Sequence, residues 1–109
     1  MATLLKNTVI KNCGVQPVLI YETLATTRVT VLGLSFTNLT DSFIYIDVLI
    51  EDDTSVSGYY LKQTLLPANT SLRAVSTGEK LVLAPSNKLL VQSSLDDSVD
   101  VIVSYVEVT

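Results

Sequence analysis

The chain has 109 residues, 48% of them hydrophobic and 17% charged, with a formal net charge of −4. It holds no histidine, no tryptophan and one cysteine, which excludes Ser-His-Asp and Cys-His triads, His or multi-Cys zinc sites and an intrachain disulfide. Seven basic residues against eleven acidic ones leave no cationic surface for counterion release, so nucleic acid is not an expected partner.

A chain of this length forms one domain. Val, Ile and Thr, which lose rotamer freedom in helices and pack well on a pleated sheet, supply 34 of its residues. Residues 1–6 read either as an N-terminal arm or as the start of the first strand, since Leu4 and Leu5 have no period-two partner. The remainder, 7–109, reads as a β domain. Strands are expected at Thr8–Asn12, Pro17–Leu24 and Thr27–Asn38. In the third, Val29 and Val31 share one parity and Leu32, Leu34 and Phe36 the other, a slip that a bulge near Gly33 or burial on both faces accounts for. The clearest strand is Phe43–Glu51, with Ile44, Ile46, Val48 and Ile50 on one face and Tyr45, Asp47 and Glu51 on the other. Further strands follow at Val56–Leu65, Ser71–Ser76, Lys80–Leu83, Leu89–Ser93 and Val99–Val108. Turn-forming groups separate them, including Thr77-Gly78-Glu79 and Leu95-Asp96-Asp97-Ser98. Eight or nine short strands at this spacing define an all-β, antiparallel β-sandwich, jelly-roll-like or a small barrel.

No window of apolar residues is long enough to span a bilayer as a helix, and Met1–Asn7 lacks the features of a secretory signal, so cytoplasmic synthesis is expected. The last strand is apolar on both faces. Val99, Val101, Val103 and Tyr105 alternate with Ile102, Val106 and Val108, so the strand is either central and covered twice or, as a thin sandwich favours, covered on its outer face by another subunit. Leu4, Leu5, Tyr59, Tyr60, Ile102 and Val106 are therefore the candidate interface residues, in a homo-oligomer that would be a trimer if it decorates three-fold positions. Asp41, Glu51-Asp52-Asp53 and Asp96-Asp97 with Asp100 lack the spacing of a calcium loop and read as solvated turns, so neither a metal nor a cofactor is expected. Nor does any pair of acids lie where a glycosidase would need one. Cys13 beside Gly14 at a probable turn has only Lys11 nearby to lower its pKa and reads as a plain small residue rather than a reactive thiol. Asn38-Leu39-Thr40 and Asn69-Thr70-Ser71 match the glycosylation acceptor pattern by chance.

The C-terminal half runs Leu66-Pro67-Ala68-Asn69-Thr70-Ser71-Leu72, then Lys80-Leu81-Val82-Leu83, Leu89-Leu90-Val91-Gln92-Ser93 and Val99-Asp100-Val101-Ile102-Val103-Ser104-Tyr105-Val106-Glu107. With Val31-Leu32-Gly33-Leu34-Ser35-Phe36-Thr37-Asn38, this cadence resembles small β-rich virion structural proteins of tailed bacteriophages, cyanophages among them. Asn69 stands where that group commonly has glycine. The resemblance implies a non-enzymatic virion component, foremost a capsid decoration or cement protein contacting the major capsid protein or other virion proteins. The alternatives are a neck or tail component of the virion and, from another class, a carbohydrate-binding β-sandwich using Tyr45, Tyr59 and Tyr60.

Overall fold

Alternating apolar and polar residues at period two put one set of side chains on each face of a strand. The computed structural model, which describes residues 3–75 and 81–108, forms nine such strands and no helix among the described residues. In chain order they are β1 (Thr3–Cys13), β2 (Val18–Glu22), β3 (Arg28–Asn38), β4 (Ile44–Glu51), β5 (Ser57–Leu66), β6 (Ser71–Val75), β7 (Leu81–Leu83), β8 (Lys88–Ser93) and β9 (Val99–Val108). They form two antiparallel sheets. One has the order β1-β9-β3-β6 with β7 also on β3, and the other has the order β2-β8-β4-β5. Because β6 pairs with Leu34–Thr37 and β7 with Val29–Val31, these two short strands serve as one interrupted edge. The result is the jelly-roll arrangement, in which the chain crosses between the sheets at most connections, β4–β5 and β6–β7 staying within one sheet.

The first strand begins earlier than Thr8, because β9 is long enough to pair Thr3, Leu4, Leu5 and Lys6 with Val108, Glu107, Val106 and Tyr105. The segment read either as an arm or as a strand start thus lies, from Thr3 onward, alongside β9. Met1, Ala2 and the turn Thr77-Gly78-Glu79 lie outside the described residues, as do Ser76 and Lys80, the ends of two expected strands.

The phase slip in β3 is a bulge. Val31 pairs with Tyr105 and Gly33 with Ser104, leaving Leu32 as the extra residue. Val29 and Val31 before it and Leu34 and Phe36 after it therefore all point inward, each no more than 1% exposed. A second irregularity lies on edge strand β5, where the register jumps from Ile46–Thr64 to Val48–Leu61. There Gln63 takes a left-handed φ of 45° and its N–H donates to Asp47 Oδ1 at 2.6 Å. Such a bulge keeps the free edge from offering a regular row of N–H and C=O groups.

Between the sheets, Phe36, Ile44, Ile46, Val48, Leu66, Leu89, Val91, Val99 and Val101 are fully buried. The loops at one end are braced by Asn38. Its buried Nδ2 donates to the carbonyls of Ser42, Leu66 and Pro67, and its Oδ1 accepts from the Thr40 N–H and hydroxyl. The β8–β9 turn is closed by the Ser98 hydroxyl donating to the Leu95 carbonyl, with Ser93 Oγ 2.6 Å from Ser98 Oγ.

Candidate interaction surface

Register fixes which side chains share the outer face of the β1-β9-β3 sheet. Residues directly opposite one another on neighbouring strands point the same way, so the face is built of rows running across the strands. Leu5, Val106, Thr30 and Val82 form one row. Asn7, Ser104 and Gly33 form the next, and Val9, Ile102, Ser35 and Arg73 the one after. Leu32, pushed out by the bulge, stands beside the first row. Large apolar side chains on this face are open to solvent: Leu5 is 78% exposed, Val82 65%, Val9 55% and Ile102 45%. The middle row is low because its side chains are small, and it forms a trough between the Leu5–Val106 ridge and the apolar pair Val9 and Ile102. One depression of about 550 Å³ has Leu5 and Leu32 as walls and Asn7 and Ser104 on its floor. A smaller one of about 190 Å³ continues past Ser104 and Gly33 to Ile102 and Arg73.

Where β1 and β9 turn their other face toward β2, the sheets part and a polar cluster fills the gap. Lys6 Nζ lies 2.9 Å from Glu107 Oε1, the Tyr21 hydroxyl donates to Glu107 Oε2, and Tyr105 Oη lies 3.2 Å from Thr8 Oγ1. The rings of Tyr21 and Tyr105 are tilted against each other with centroids 4.5 Å apart. The Lys6 ammonium and then the Tyr21 hydroxyl hold Glu107 below the usual carboxylate range. The same carboxylate raises Lys6. Burial, followed by the bond to Glu107, pushes Tyr21 well above an ordinary phenol. These groups satisfy one another, and nothing in their arrangement presents a free nucleophile.

Of the six candidate interface residues, Leu5, Ile102 and Val106 come together on the outer face just described. Leu4 sits on the opposite face of β1, across from Glu107. Tyr59 belongs to the second sheet's outer face, opposite Leu49 and with the Lys62 ammonium 4.9 Å from its ring centroid. Tyr60 turns inward against the core, its hydroxyl donating to the Ala74 carbonyl. Sequence reasoning missed Val9, Leu32 and Val82. The alternation of Leu5, Asn7 and Val9 signals an outer face once β1 is extended to Thr3.

The second sheet has an apolar outer row of its own, Leu19, Leu90, Leu49 and Tyr59. Tyr45 lies four residues along β4 from Leu49, about 13 Å from the Tyr59 row, and meets Phe43 edge to face. Tyr45, Tyr59 and Tyr60 therefore do not form a common platform.

The acidic residues organise turns. Asp52 Oδ1 accepts from the N–H groups of Thr54 and Val56 and from the Thr54 hydroxyl, which lowers its pKa. Asp96 accepts from Val15 N–H, Asp100 from Asn12 N–H and Asp41 from Asn69 Nδ2. Glu51 stands 3.6 Å from Lys88. Among the described residues no three potential ligands gather around a metal position. Cys13 is buried and its thiol raised by burial, which makes it unreactive. Asn38 is buried with its amide committed to carbonyls, so it is closed to modification in the folded protein.

No protein-family model and no curated protein matches the sequence. Solved structures do share the fold. A protein of the disulfide-linked pili of Bacillus endospore appendages superposes with a TM-score of 0.61 at 6% identity, over 98% of this chain and 88% of that one. A chain of the T13 particle of infectious bursal disease virus superposes with a TM-score of 0.59 at 10% identity, over 96% of this chain and 30% of the viral one. The chain thus spans about a third of the viral chain's length. At these identities the likeness is one of fold alone, an all-β sandwich of two antiparallel sheets.

Proposed function

We propose that the chain is a non-enzymatic virion structural protein, made in the host cytoplasm and acting through protein–protein contacts, foremost as a capsid decoration or cement protein on the major capsid protein. The observation that carries this reading is the exposure of apolar rows on both outer faces of the sandwich, while Asp52 and Asp96 are spent on turns. Apolar rows of that size on a small domain mark contact surfaces. The viral structural neighbour and the resemblance of the strand cadence to tailed-phage virion proteins support a particle over an enzyme. Quantitative mass spectrometry of particles from the virus encoding the chain tests it. Hundreds of copies per particle are expected for decoration. A count on the order of a dozen, as ring symmetry would give at a neck or tail, would move the chain there, and absence from particles would overturn the reading.

The second reading is a subunit of a fibre, favoured by the pilus protein that matches over nearly its whole length. The one cysteine here is buried, so such a fibre would not be disulfide-linked through it. Filaments formed by the purified chain would favour this reading.

A further inference from the structure

We infer that the outer face of the β1-β9-β3 sheet is a two-fold docking surface for a second copy of this chain, the Leu5–Val106 ridge of each copy seating in the Asn7–Ser104–Gly33 trough of the other. The inference deepens the assembly reading by assigning one of its two faces, yet dimerisation is measurable without a virion.

Sheets that pack face to face lie about 10 Å apart with strands aligned within about 30°. A two-fold axis parallel to the rows, placed over the boundary between ridge and trough, sets β9 against β9 and brings Val106 over the partner's Ser104. The same operation carries the Val9–Ile102 row onto the row of Thr3, Val108 and Arg28, so apolar Ile102 meets Val108. An isologous contact requires the patch to be complementary to itself, and the Leu5–Val106 ridge next to the Asn7–Ser104–Gly33 trough supplies that at its centre. The bulge contributes by pushing Leu32 out as a wall of the trough. Gly33 leaves the floor low, since even an added Cβ would come no closer than 4.0 Å to Ser104 Cβ.

Charge and area agree with a second copy. The charged residues of the face, Lys11, Arg28, Arg73 and Asp100, lie around its margin. In this arrangement Arg28 stands over Ser35 and Arg73 over the end of β7, so neither arginine faces its own symmetry mate. Four strand positions at about 4.8 Å and ten residues at about 3.4 Å give a face of roughly 650 Å². Side-chain relief adds to this, bringing it close to the ~800 Å² per partner of a standard interface.

Sedimentation equilibrium of the full chain across micromolar concentrations, with melting curves as a check on folding, tests the inference. The wild-type chain is expected to dimerise. Ile102→Asp, at an exposed position, and Ser104→Leu, which fills the trough, should each weaken the dimer by about tenfold or more with little loss of melting temperature. Tyr59→Asp on the opposite face should leave it intact. A wild-type monomer or trimer at all concentrations would overturn the inference, as would a dimer insensitive to both substitutions or one broken by Tyr59→Asp. A dimer of this kind with no copies in particles would instead sink the virion reading alone.

Discussion

The Lys6 ammonium lies 2.9 Å from the Glu107 carboxylate, an ion pair that adds to the backbone ladder between the first strand and the last and, by the Tyr21 hydroxyl on the same carboxylate, ties both to the opposite sheet. Glu107 is depressed and Lys6 raised. The contribution of Glu107 is therefore full above the ordinary carboxylate pKa, about 4.3, and is lost as pH falls through its lower folded value. That of Lys6 is full below its ordinary value, about 10.4, and is lost as pH rises through the raised one. Melting temperature should fall below about pH 4, and Glu107→Gln should flatten that acid limb. An unchanged acid limb in the variant would show that other carboxylates dominate it.

Tyr21→Phe deletes the hydroxyl that bridges the sheets but keeps the ring on Tyr105. The expected cost is about 1 kcal/mol, or a drop of roughly 4–8 °C for a domain of this size. Differential scanning calorimetry would read it.

On the clearest strand, adjacent residues should differ sharply. Ile46 is fully buried between the sheets, so Ile46→Ala should cost about 2–5 kcal/mol by leaving a cavity. Tyr45, half exposed against Phe43, should lose under about 1.5 kcal/mol on Tyr45→Ala. Urea titrations of both variants separate the two. Equal large losses would mean that the outer face of β4 is covered.

Asn38→Ala should destabilise by about 2–3 kcal/mol, because it strips partners from the carbonyls of Ser42, Leu66 and Pro67 in a closed loop end. Hydrogen exchange should show the 39–43 and 67–70 loops opening first.

Deleting residues 1–5 should leave a folded domain. Leu4 and Leu5 are largely exposed and the Lys6–Glu107 pair survives, whereas the Leu5 ridge is lost and self-association should weaken. A collapse of the melting transition would instead assign these residues to the core.

Much of the fold was legible because burial in a sandwich imposes period two, and Ile44, Ile46 and Val48 declare it without ambiguity. The parity change between Val31 and Leu34 located a bulge, since a phase slip in an apolar strand has few other remedies. The interaction face was only half legible. Ile102 and Val106 stood out as the wrong-face apolar residues of β9, but Val82 joins them only through its pairing with the distant Thr30, which no local pattern encodes. Tyr60 turns inward at a second slip of the β4–β5 register, where Val48 faces Leu61 and Leu49 faces Tyr59, a pairing with another strand that its local alternation does not encode.

Thr3 and Val108 are direct partners in the antiparallel ladder, their Cα atoms about 5 Å apart. The outer ends of β1 and β9 therefore lie side by side. A linker of a few residues would join Thr3 to Val108 without distorting either strand, and a break could be opened at the exposed Asp52–Ser55 turn between β4 and β5. Such a rewired chain keeps every sheet pairing. It also moves any fused cargo from the corner shared by β1 and β9 to the opposite sheet, so a partner or label can be presented on either side of the same scaffold.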